Sequence, residues 1–178
     1  RILLSRLGQA TGFSRSLSDR ASKNPKRVVF AEAEHYKVLK AAEQAVDEGI
    51  AHPILIGRKG VIKALIKENN LELSSATIID PRDEEQSERR KNFGKILHEK
   101  RKRHGLTSIE AERAMRKRNY FGAMLVETGE ADALVSGLTR NYPRVIRPAL
   151  QVIGKDEGVS KVAGMYIMQT KQGPMFFA

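Results

Sequence analysis

Short unbroken apolar runs alternate along this chain with stretches whose apolar residues recur every three or four positions. Residues 27–31 (RVVFA), 53–57 (PILIG) and 76–79 (ATII) are runs of the first kind and predict buried strands. Between them, Val38, Leu39, Ala42, Ala45 and Val46 predict one helix, with Gly49 placed as its C-terminal cap. Val61, Ile62, Leu65 and Ile66 predict a second helix, ending at Asn69 and Asn70. Asp80 and Pro81 stop the third strand. This βαβαβ rhythm implies a parallel sheet with right-handed crossovers. Continuous rather than alternating apolar strands imply that both sheet faces are covered. The expected fold class is therefore α/β: three layers, a mainly parallel sheet, helices on both faces.

Residues 84–104 predict a long, charged helix with Phe93, Ile96 and Leu97 as its apolar stripe. Thr107 and Glu110 have capping-box spacing, so a further helix starts there. Another helix is expected over 120–128, then a fourth strand at 133–135. Ile146, Ala149, Leu150 and Ile153 mark a helix in which Pro148 fits best in the first turn. Strands are expected at 162–168 and 175–178, joined by a turn over 171–174. Residues 1–24 form a basic, Ser/Arg-rich segment with Leu3, Leu4 and Leu7 on one side, expected as a connecting helix that Asn24-Pro25 ends.

The candidate chemistry concentrates at 134–151, LVSGLTRNYPRVIRPALQ. A strand stops at Ser136-Gly137, a polar loop follows, and a helix begins that carries Arg140, Arg144 and Arg147. A glycine loop between a parallel strand and a helix N-terminus aims N–H groups and a positive dipole end at one spot, which suits phosphate. Arginine adds bidentate hydrogen bonds. The basic run 100–104 reads as a solvated helix face from which one member could turn inward. Glu32 and Glu34 follow the first strand, and capping the next helix is their expected role.

Composition narrows the choices. With no cysteine, disulfides, thiolate metal sites and a cysteine nucleophile are excluded. The four histidines, His35, His52, His98 and His104, lack metal-ligand spacing, so no metal site is expected. No G-x-S-x-G follows a strand, nor a G-x-G-x-x-G or G-K-[ST]. No apolar run approaches the ~18 residues of a membrane span. The net charge of +11 draws anions. Nucleic-acid binding would need aromatic residues interleaved with the basic ones, and Tyr120 and Phe121 read as core, so a polyanion-binding module ranks behind a small anionic ligand. The chain starts without methionine, in mid-pattern, and reads as a piece of a longer polypeptide.

From Pro25 onward the ordered residues resemble the phosphate acetyltransferase (phosphotransacetylase) family. The resemblance rests on residues 25–57, on IIDPRDEE (78–85), KRKRHGLTSIEAE (100–112), ETGEADALVSG (127–137), and RPALQVIG (147–154). The phrase GLTRNYP looks closer to the phosphotransacetylase-like C-terminal domain of NADP-dependent malic enzymes. The resemblance implies a two-lobed α/β domain of which 25–178 would be the first lobe, with 1–24 the tether from an upstream malic enzyme module. It implies a site for acetyl-CoA, CoA or acetyl phosphate, formed here by Arg101, Ser136, Gly137, Thr139, Arg140, Arg144 and Arg147. Arg101 and Arg147 match phosphate-holding arginines of the family, and Ser136-Gly137 the start of its loop. Asn141, Tyr142 and Pro143 stand where active members carry small hydroxyl residues. Proline removes a donor, and Tyr142 is expected to fill space an acyl phosphate needs. The implied function is thus a regulatory ligand-binding domain with no assignable catalytic residue, and the alternative is an active acetyltransferase. The parent module would use NADP and a divalent metal to convert malate to pyruvate, in a cytoplasmic homo-oligomer.

Overall fold

The computed structural model describes residues 10–170 and 173–178. After helix α1 (Ala10–Ser22) come β1 (Lys26–Phe30), α2 (Tyr36–Asp47), β2 (Ala51–Ile56), α3 (Lys59–Glu68) and β3 (Thr77–Ile79). The next segment is helical: a 3₁₀ turn, α4 (Ser87–Arg101), a second 3₁₀ turn, α5 (Ser108–Ala114) and α6 (Arg118–Glu127). Strand β4 (Ala133–Val135) and helix α7 (Tyr142–Val152) follow, then a hairpin of β5 (Tyr166–Thr170) and β6 (Gly173–Phe177). The expected leucine face at Leu3, Leu4 and Leu7 lies outside the described residues.

The four-stranded sheet has the order β3-β2-β1-β4, and every pairing is parallel. Pro53 sits in β2 opposite Val28, while β3 pairs with β2 only from Ile54 onward. Its missing donor therefore falls where β2 has a neighbour on one side only. Strand alternation sends Val29 and Ile56 to one face and Phe30 and Leu55 to the other. The first face packs on Phe93, Leu97, Met115, Phe121, Met124 and Val152, contributed by α4 to α7. The second packs on Leu39, Ala42 and Ile62 of α2 and α3. These are the three layers that the apolar runs predict.

Local signals hold where their chemistry is local. Thr107 and Glu110 form the reciprocal capping box of α5, and Gly49 leaves α2 with φ +65°. Four expectations are corrected. Pro148 lies inside α7 and Pro143 occupies the first turn. Glu32 and Glu34 do not cap α2; the His35 ring nitrogen Nδ1 does, accepting from the Lys37 N–H. On α4, Ile96 is exposed and Arg90 is buried beside Phe93 and Leu97. The hairpin strands start at Tyr166 and Gly173, and their apolar residues are largely exposed.

Arg27 and Asp132 pin β4 beside β1. The Arg27 guanidinium reaches the Asp132 carboxylate at 2.9 and 3.1 Å, its backbone N–H donates to the same group at 2.8 Å, and the Asp132 N–H returns a bond to the Arg27 carbonyl at 2.8 Å. These bonds to Arg27, side chain first, pull the Asp132 carboxyl from 3.8 down to about 2. A carboxyl acidified by folding stabilises the fold above its ordinary value, and that stabilisation is lost as pH falls through the folded value. The difference in melting temperature between the native chain and Asp132→Asn should therefore be constant above about pH 5 and close as pH falls from about 4 to about 2. Thermal melts across that range check it; an unchanged difference would show that the pair does not couple to folding.

Candidate functional site

The sheet order reverses at β1, since β2 and β3 grow to one side and β4 to the other. Open parallel sheets bind ligands outside the carboxyl ends of their strands at such a reversal. A cavity of about 710 Å³ lies there. All four strand ends line it: Ala31, Glu32 and Glu34 beyond β1, Gly57 and Arg58 beyond β2, Asp80 to Arg82 beyond β3, and Arg140 and Asn141 beyond β4. Residues 116–120 at the start of α6, and Pro143, Arg144, Arg147 and Pro148 on α7, complete the wall.

Three helices begin at this wall: α3 at Lys59, α6 at Arg118 and α7 at Tyr142. None has a side-chain cap bond or an acidic residue in its first turn. Their first N–H groups and positive dipole ends are therefore not neutralised by the usual devices. The side chains add to this, with eight basic and three acidic residues in the lining.

The three acids are engaged with the protein itself. Glu34 accepts from the Arg58 N–H at 2.9 Å and from its guanidinium at 3.2 and 3.0 Å, with Arg118 3.8 Å away. Those bonds to Arg58 hold its carboxyl below the usual range against the opposing effect of burial. Gly57 makes room for it, because a Cβ there would stand 2.9 Å from Glu34 Cγ. Asp80 accepts from the Arg82 N–H at 2.9 Å. Glu32, 3% exposed, accepts from the Thr139 N–H at 2.9 Å through Oε2, and its Oε1 is buried without a partner among the described residues. Among the described residues, Arg82, Arg116, Lys117, Arg140, Arg144 and Arg147 have no carboxylate within 4.0 Å. Six of the wall's eight cations thus lack a counter-charge among the described residues, which suits a phosphate-bearing ligand.

Of the residues singled out in the sequence, Arg140, Arg144 and Arg147 line the cavity. Ser136, Gly137 and Thr139 are not in its lining but shape the loop. The Ser136 hydroxyl donates to Asn119 at 3.0 Å, Thr139 is tied to Glu32, and Gly137 has φ +122°. Arg101 ends α4 outside the lining; burial raises the Tyr120 phenol above its ordinary value, and the charges of Arg147 and Arg101 oppose that rise. Tyr142 does not occupy the cavity: it is 71% exposed and points out of the lining, whereas Asn141 and Pro143 contribute to it. Within the basic run Arg101 is half-buried, while Lys100 pairs with Glu127 and donates to the Val152 carbonyl at 2.8 Å, holding the far end of α7. Arg58, Arg82, Arg116, Lys117, Arg118 and Asn119 were not singled out as site residues. The strand-end positions of Arg58 and Arg82 were the available signal.

The fold and this wall define a class: a parallel α/β domain with a basic cavity at its topological switch point. The chain belongs to the family described as Phosphate acetyl/butaryl transferase, whose profile matches residues 12–178. A phosphate acetyltransferase of Helicobacter pylori is 42% identical over 156 residues, covering 88% of the chain and 30% of that relative. An NADP-dependent malic enzyme of Salmonella typhimurium is 32% identical over 167 residues, covering 93% of the chain and 22% of that relative. Among solved structures, the EutD phosphotransacetylase from Staphylococcus aureus superposes with a TM-score of 0.81 at 31% identity, covering 95% of the chain and 50% of that protein. The chain thus spans half or less of the relatives it matches.

Proposed function

We propose that the chain is the phosphotransacetylase-like part of an NADP-dependent malic enzyme and binds acetyl-CoA or acetyl phosphate as a regulatory signal. The observation that carries the ligand class is the cavity wall, where six basic side chains without carboxylate partners among the described residues converge with three uncapped helix starts. Phosphate is the group both ligands share, and arginines recognise it by charge and by paired hydrogen bonds. Support for the malic enzyme setting comes from relatives of that name in Salmonella typhimurium and Haemophilus influenzae, which match 93% and 92% of the chain.

Glu34 and Asp80 are engaged by Arg58 and by the Arg82 N–H, and Glu32 holds the Thr139 N–H through one of its two oxygens. Binding without turnover is the reading we adopt for these residues. Active acetyl transfer is the second reading, favoured by the 42% identity to the Helicobacter pylori acetyltransferase. Isothermal titration with acetyl phosphate and with acetyl-CoA, beside an assay of acetyl-CoA formation from acetyl phosphate and CoA, separates them. Heat without product is expected. Rapid product formation would replace regulation by catalysis, and absence of heat at ~1 mM ligand, a level equivalent to about −4.1 kcal/mol, would remove both.

A further inference from the structure

In an α-helix each N–H donates to the carbonyl four residues earlier. The donor for the Arg144 carbonyl would be residue 148, and residue 148 is proline inside α7. The Asn119 side chain supplies the missing bond: Nδ2 donates to the Arg144 carbonyl at 3.1 Å. The same amide accepts the Ser136 hydroxyl through Oδ1 at 3.0 Å. A carbonyl can only accept, so the amide nitrogen must face Arg144 and its oxygen must face Ser136. Asn119 lies in the first turn of α6, lines the cavity, and sits next to Tyr120, whose hydroxyl donates to Gln151 of α7 at 2.5 Å.

One primary amide therefore joins three pieces of the wall: the start of α6, the loop leaving β4, and the turn of α7 that carries Arg144 and Arg147. At the other end of α7, Lys100 holds the Val152 carbonyl. We propose that Asn119 is a positioning residue for the anion site. It replaces the hydrogen bond that Pro148 removes and so fixes the helix that presents Arg144 and Arg147 to the cavity. This rests on the cavity being a phosphate site. The pairing explains how proline is tolerated at a helix position where its ring and missing donor would otherwise bend α7 away. No carboxylate could take the place of the amide, since it cannot donate to the carbonyl and would add negative charge beside the arginines.

The test is a double-variant cycle on the full chain with inorganic phosphate as the probe. Asn119→Ala should weaken phosphate affinity by about tenfold, the effect of losing one supporting hydrogen bond and stranding its acceptor. Asn119→Asp should weaken it further. Pro148→Ala restores a backbone N–H at residue 148 for the Arg144 carbonyl. Adding Asn119→Ala to Pro148→Ala should therefore cost about threefold or less relative to Pro148→Ala alone, the remainder being the Ser136 arm. Hydrogen exchange of the α7 amides without phosphate reads the helix directly: it should speed up in Asn119→Ala and slow again when Pro148→Ala is added. A merely structural Asn119 would lower the melting temperature and leave phosphate affinity within about twofold at temperatures far below the melt, which overturns the proposal, as does an Asn119→Ala loss of the same size in both backgrounds. If the native chain binds no phosphate although α7 exchange responds as described, the phosphate-site reading fails and takes the positioning role with it, leaving only a helix clasp.

Discussion

Arg147→Ala lowers the affinity of the chain for acetyl phosphate by about 10- to 100-fold, the range that corresponds to losing one charge-assisted, bidentate contact. The reason lies in how the wall's charges are distributed. Arg58 and Arg118 share the Glu34 carboxylate, so part of their charge is already answered. Arg147 has no carboxylate partner among the described residues, faces the cavity, and acts on the same phenol as Arg101. Arg147→Lys keeps the charge and loses the planar fork, so it should recover only part of the affinity. Arg103→Ala is the control for bulk charge: Arg103 is exposed and outside the cavity lining, and its removal should change affinity by less than about twofold at ~0.15 M salt, where charges beyond about 8 Å are screened. Isothermal titration of the three variants checks this. Equal losses in Arg147→Ala and Arg103→Ala would mean that the overall field, not a built site, attracts the anion.

The sheet was legible in the sequence because each of its signals is local. Continuous apolar runs, glycine at a left-handed helix exit, and a threonine three residues before a glutamate act on their immediate neighbours. The site was legible in part, where a strand ends in a glycine loop and arginines follow. What escaped was long-range pairing. Glu32 and Glu34 look like capping residues until their partners, Thr139 and Arg58, are seen to arrive from 107 and 24 positions away. Pro148 reads as a helix start because the side chain that makes it tolerable in mid-helix, Asn119, belongs to another helix. Tyr142 reads as an obstruction in a linear loop, but its position at the start of α7 turns it to solvent. Arg58 and Arg82 show the reverse case. In a parallel sheet the two or three residues beyond each strand's carboxyl end share one crevice, whatever their local pattern.

Arg90→Ala should destabilise the fold by about 3 kcal/mol, because it strands buried acceptors and leaves an unfilled space at once. A charged residue 3% exposed on α4 is unusual, and Arg90 forms no ion pair among the described residues. Its partners are main-chain carbonyls: Nη1 donates to Pro81 at 3.0 Å and to Asp83 at 2.5 Å. The turn between β3 and α4 is thereby closed from inside. Lys59 holds the same turn from outside through the Asp83 carboxylate at 2.9 Å, and this cannot replace bonds to the carbonyls. For a chain of this length ~3 kcal/mol corresponds to a melting temperature lower by roughly 6–12 °C. Arg90→Met separates the two contributions, since it fills the volume and leaves the carbonyls unpaired; it should retain about half of the loss. The consequence reaches the cavity because Asp80, Pro81 and Arg82 line it. Phosphate affinity should fall in Arg90→Met even well below its melting temperature, through a displaced Arg82. Unchanged affinity in that variant would show that the turn is shaped by the sheet alone, with Arg90 serving only the core.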